Sequence, residues 1–65
     1  MRHNRKPADV YARELIRRYG KRAAQIASNR YDAAETESTA LYYEHVLDEI
    51  QNARREAARL NNKPQ

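Results

Sequence analysis

The chain contains no cysteine, no tryptophan and no phenylalanine, and only one glycine and two prolines. Without cysteine it has no disulfide framework and no thiol chemistry, and a cytoplasmic setting is the default expectation. A single glycine excludes a glycine-rich phosphate loop. Large aliphatic side chains are scarce as well: two valines, three isoleucines and four leucines among 65 residues. So small a supply puts disorder in competition with a packed core. No apolar run approaches the ~18 residues of a membrane span, and the first thirty residues hold no apolar signal-peptide core.

What the chain does have is helix-forming material. Alanine, glutamate, lysine, leucine and arginine make up 34 of the 65 residues, a composition typical of long or paired helices where the spacing agrees. At 7.7 kDa the chain makes one small domain.

The formal charge of +4 conceals a division into blocks. Residues 1–30 carry +7, from Arg2, Arg5, Lys6, Arg13, Arg17, Arg18, Lys21, Arg22 and Arg30 against Asp9 and Glu14. Residues 31–50 carry −6 and no Lys or Arg, and the remainder returns to +3. Such asymmetry points either to a polyanionic partner or to basic and acidic helices lying side by side.

Three helices follow from the periodicity. Residues 1–7 lack an apolar period and read as a flexible basic arm. Pro7 suits a helix start. Ala8, Tyr11, Ala12, Leu15, Ile16 and Tyr19 then recur at spacings of three and four, with Arg13, Glu14, Arg17 and Arg18 opposite, predicting a helix over 8–19. Gly20 is expected as its left-handed C-cap. A second helix over 21–35 shows a narrow stripe of small residues, Ala23, Ile26, Ala27, Arg30, Tyr31 and Ala34, which cannot be stable alone. Thr36-Glu37-Ser38-Thr39 is the turn, with Thr36 or Ser38 as the next N-cap. The third helix, over 38–60, is the most regular: Tyr43, Val46, Ile50, Ala53, Ala57 and Leu60 form an a/d heptad series. Residues 61–65 read as a flexible tail.

Chemistry-bearing clusters are few. His45 with Glu49, and Glu44 with Asp48, are one turn apart on the third helix, yet the heptad turns His45 and Asp48 outward. The Glu-x-x-His spacing of carboxylate metal bundles is also missing. Ser28 and Ser38 have no base at a predictable distance. Catalytic, metal and cofactor sites are therefore not expected. The tyrosines fall on apolar stripes, where they supply core bulk; Tyr42, at a g position, is the exception and suits an interface. A helix-turn-helix register puts Ser28 at the turn glycine and Asn29 at an apolar position, and its recognition helix would be acidic.

The series Ala12-Arg13-Glu14-Leu15-Ile16, Tyr19-Gly20, Ala24, Ala27 and Arg30, followed by Ala40, Tyr43 and Val46, resembles a class of short uncharacterised bacterial all-helical proteins. The resemblance covers about residues 8–50. This chain has Glu37-Ser38 where the class usually has Gly-Asp, and Tyr43 where it has Trp. The resemblance implies a small helical fold and carries no activity with it.

The expected fold is all-α: a short first helix packed on a long antiparallel helical hairpin, completed by dimerisation. A domain of this size buries only ~60% of its unfolded surface, and without disulfide or metal the remaining support is oligomerisation. The core or dimer stripe is Tyr43, Val46, Ile50, Ala53, Ala57 and Leu60. Function is expected to be binding: a protein partner engaged as an accessory or regulatory factor, or alternatively the nucleic-acid backbone. The contact residues are expected to be Arg13, Arg17, Arg18, Lys21, Arg22 and Tyr42. The six acids of residues 31–50 favour the protein partner, since they would repel phosphates. No membrane association is expected.

Overall fold

The computed structural model describes residues 5–61, which are all-helical, with no strand among them. Residues 1–4 of the expected arm and 62–65 of the expected tail lie outside them. Helix α1 spans Ala8–Tyr19, a 3-10 turn spans Gly20–Arg22, α2 spans Ala23–Ala33 and α3 spans Glu37–Asn61. Both α1 and α2 pack against α3, in a body of 52 × 21 × 19 Å.

Helix α1 starts where Pro7, extended at ψ 149°, offers its carbonyl to the Tyr11 N–H at 3.0 Å. Asp9 in the first turn and Arg17 and Arg18 in the last complement the helix dipole. Gly20 ends the helix with its N–H on the Ile16 carbonyl. Its φ of +60° is positive, as expected, but its ψ of −123° places it in the mirror image of the β region rather than in the left-handed helical well. Glycine enters both without steric cost. The chain then passes through a 3-10 turn, closed by the Ala23 N–H on the Gly20 carbonyl, before α2 begins. That turn moves the start of α2 from the expected residue 21 to Ala23. No atom lies within 4 Å of where a Cβ on Gly20 would stand, so Gly20→Ala tests backbone conformation alone. The expected result is a loss of about 1 kcal/mol or more, read as a lower thermal midpoint with native helix content retained.

Helix α2 ends two residues earlier than expected, because Ala34 adopts an extended backbone (φ −63°, ψ 135°). Thr36 is then the N-cap of α3: its Oγ1 accepts the Thr39 N–H at 3.2 Å, and its carbonyl accepts the Ala40 N–H at 3.0 Å. Capping by Thr36 leaves Ser38 inside the helix, and α3 begins at Glu37, one residue before the expected start.

Among the described residues six are buried: Ala12 and Leu15 of α1, Ala23 and Ala27 of α2, and Val46 and Ile50 of α3. Three of the six are alanines, so close helix approach replaces bulk. Around them pack the half-buried Ala8, Tyr11, Ile16, Ala24, Ile26, Tyr42, Tyr43 and Leu47. Tyr19 and Tyr31, expected on the inner stripes, are instead exposed.

Of the expected arm, the described Arg5 and Lys6 make hydrogen bonds to α1 and α3. The Tyr42 hydroxyl donates to the Lys6 carbonyl at 2.6 Å, the Arg5 guanidinium donates to Thr39 Oγ1 at 3.2 Å, and the Lys6 ammonium pairs with Glu14 at 2.6 Å. Long polar side chains here do what an apolar period would otherwise have done.

Candidate functional site

No helix among the described residues is long and apolar enough to cross a membrane, and no three His, Asp or Glu side chains among them converge on a common point. The surface divides instead into an aromatic cluster, an apolar groove and a basic pole.

The aromatic cluster is made by Tyr11, Tyr42 and Tyr43, with ring centroids 5.2 to 6.1 Å apart and tilted or edge-on geometry. The Arg5 guanidinium sits 4.9 Å from the Tyr42 ring centroid, a contact that contributes ~0.5–1 kcal/mol when exposed. Burial raises the Tyr42 hydroxyl above the ordinary phenol range, aided by its two tyrosine neighbours and opposed by Arg5. Burial does the same to Tyr11. Both groups therefore favour their neutral form in the fold, and that contribution to stability is lost only as pH rises into the alkaline range. Tyr42, expected as an interface residue, has its ring and hydroxyl engaged within the chain.

The groove runs between α1 and α3. Its larger part, about 470 Å³, is lined by Val10, Arg13, Glu14, Ile16, Arg17 and Ala53. A second part of about 300 Å³ shares Arg13, Ile16 and Ala53 and reaches Glu49 and Glu56. The floor is apolar. The α1 wall carries Arg13 and Arg17, and the α3 wall carries Glu49 and Glu56. Arg13 is tied to Asp9 one turn before it, at 3.3 Å. The Glu14 carboxyl at the edge is held below the usual carboxylate range, chiefly by the hydrogen bond from Lys6.

The heptad stripe of α3 divides along its length. Val46 and Ile50 are buried, Tyr43 and Ala53 are half-buried, and Ala57 and Leu60 are exposed, Leu60 at 62%. Ala57 and Leu60 continue the face that Ala53 begins, so the groove floor opens onto an uncovered apolar seam. Val10, 41% exposed at the groove mouth, lay off the stripe that spacing identified in α1.

The basic pole brings together residues far apart in sequence. Arg17 and Arg18 end α1, Lys21 and Arg22 form the 3-10 turn, and the Arg54 guanidinium donates to the Lys21 carbonyl at 2.8 Å. Arg54 is 33 positions from Lys21. Its e position in the heptad suits pairing between helices, but nothing in the sequence signals a backbone carbonyl as its partner.

The chain matches no protein-family model, and no curated protein or solved structure is significantly similar to it.

Proposed function

We propose that this chain is a non-enzymatic interaction module whose first protein partner is a second copy of itself. In this reading α2 and α3 form an antiparallel hairpin, α1 lies along it, and two such units share a core across the groove and the seam. The observation that carries the reading is the exposed pair Ala57 and Leu60 on α3, continuing the face of the half-buried Ala53 in the groove floor beside Ile16.

The walls of the groove support a second copy over an unrelated partner. A twofold contact presents the same patch on both subunits, so the patch must be complementary to itself. With the axis along the groove, Arg13 and Arg17 of one copy face Glu49 and Glu56 of the other, while Leu60 meets its own symmetry mate in a parallel a/d seam. The scarcity of large buried side chains adds a reason. A core of six residues, three of them alanine, is the kind that oligomerisation completes in a small domain lacking disulfides and metal.

Sedimentation equilibrium across the micromolar range tests this. The wild-type chain is expected at twice its 7.7 kDa mass, and Leu60→Glu is expected to shift it to a monomer that keeps most of its helix by circular dichroism. A monomeric wild type with a sharp thermal transition at every concentration would overturn the dimer.

A further inference from the structure

We infer that the basic pole binds the phosphate backbone of nucleic acid, without reading base sequence. This goes beyond the dimeric reading and stands without it, because the pole lies within one chain and only Arg17 of its cations also lines the groove.

Arg17, Arg18, Lys21, Arg22, Arg54 and Arg55 are exposed and gathered at the α1–α2 turn and the part of α3 beside it. Among the described residues none of the six makes an ion pair with a carboxylate. The nearby Glu56 is taken up by Arg59 at 2.7 Å. Three of the six acids that count against phosphate in the sequence are held apart, while Glu44, Asp48 and Glu49 stay on α3. Asp32, Glu35 and Glu37 sit at the far end of α2, whose eleven residues span ~16 Å. That is about twice the Debye length of ~8 Å at physiological ionic strength, so their repulsion is screened at the pole.

Helix stability accounts for only part of the cluster. Arg17 and Arg18 complement the C-terminal dipole of α1, but Lys21 and Arg22 stand at the start of α2, where that dipole disfavours cations. Arg54 and Arg55 lie well inside α3, away from its last turn. Five of the six cations are arginine, whose planar fork matches phosphate oxygens in pairs. A row of phosphates offers such pairs repeatedly, and a backbone contact needs no groove-reading helix.

Fluorescence anisotropy with a labelled generic duplex and a labelled single strand, titrated across salt, tests the inference and shows which form is preferred. For the duplex, the logarithm of affinity is expected to fall with the logarithm of salt at a slope of about −3.5 to −5.5, corresponding to about four to six phosphates at ~0.9 each. The variant Arg18→Gln/Arg55→Gln should weaken binding by about tenfold or more and flatten that slope by about 2. Arg5→Gln/Arg30→Gln removes the same net charge away from the pole, Arg5 lying against Thr39 and Tyr42, and should change affinity by less than about threefold, as expected for charges beyond screening range. Equal losses in the two double variants would overturn the inference, because net charge would then suffice. So would a wild-type slope near zero, or equal affinity for anionic phospholipid vesicles or polyglutamate at the same salt. The wild-type slope requires no substitution and stands even if a variant misfolds.

Discussion

Ile50→Ala is expected to leave the chain largely unfolded at room temperature. Ile50 is fully buried and is one of only three large side chains in the core, with Leu15 and Val46. Truncating a buried isoleucine or leucine costs ~2–5 kcal/mol, because the cavity adds to the lost transfer energy. A domain of 65 residues has a total stability of ~3–10 kcal/mol at typical values per residue, so one substitution removes much of the margin. The signal is a thermal midpoint by circular dichroism lowered by more than about 10 °C, or no cooperative transition at all. Leu41→Ala makes the comparison. Leu41 is 52% exposed, and its loss should change stability by less than ~0.5 kcal/mol. If both variants melt with the wild type, Val46 and Ile50 are not the centre of the fold.

The second large effect comes from adding volume. Ala23 and Ala27 have no exposed surface, and they are the whole of the buried contribution of α2. Ala27→Leu inserts three heavy atoms where α2 presents only a methyl group to the core. Overpacking of this kind costs ~1–3 kcal/mol through off-rotamer side chains and backbone shifts. Helix propensity favours leucine almost as much as alanine, so a loss cannot be assigned to the helix itself. The expected outcome is a lower midpoint in urea, with α2 amides exchanging hydrogen fastest. An unchanged midpoint would mean that α2 packs more loosely than its buried alanines indicate.

These two residues show how much of the fold could be read from the sequence. Ile50 was legible: it lies in a 3–4 series with Val46, and that period alone marks a buried face. The alanines of α2 were legible as a stripe but not as a closely packed one, since spacing carries no information on helix separation. Boundaries followed local chemistry where it was strong. Thr36 capped as its hydroxyl allows, and Gly20 took the positive φ that no other residue enters freely. They missed where the deciding term was backbone geometry, as in the extended Ala34 and the 3-10 turn at Gly20–Arg22.

The docking of Arg5 and Lys6 was illegible for a different reason. A polar segment makes no periodic signal, and its partners, Thr39 and Tyr42, are more than thirty positions away. The candidate site divides the same way. The arginines of the pole stood out by count, but their meeting with Arg54 depends on how α3 lies beside the turn. The length of α2 separates those cations from Asp32, Glu35 and Glu37. In sequence the acidic block interrupts the basic ones; in the fold half of its acids lie at the opposite end of α2. Ala57 and Leu60 were legible as apolar positions, while their exposure follows from where α1 and α2 stop covering α3.

The most direct test of the dimer is a distance between two copies across the seam. The chain has no cysteine, so a single Ala58→Cys, on the exposed surface beside Ala57, carries one nitroxide label without disturbing the apolar positions. Pulsed dipolar spectroscopy on this variant should give a single narrow interspin distance, well below the ~37 Å length of the 25-residue α3. That distance should vanish when Leu60→Glu is added. Dipolar signal at background level, at concentrations where helix content is complete, would contradict a shared seam between two copies.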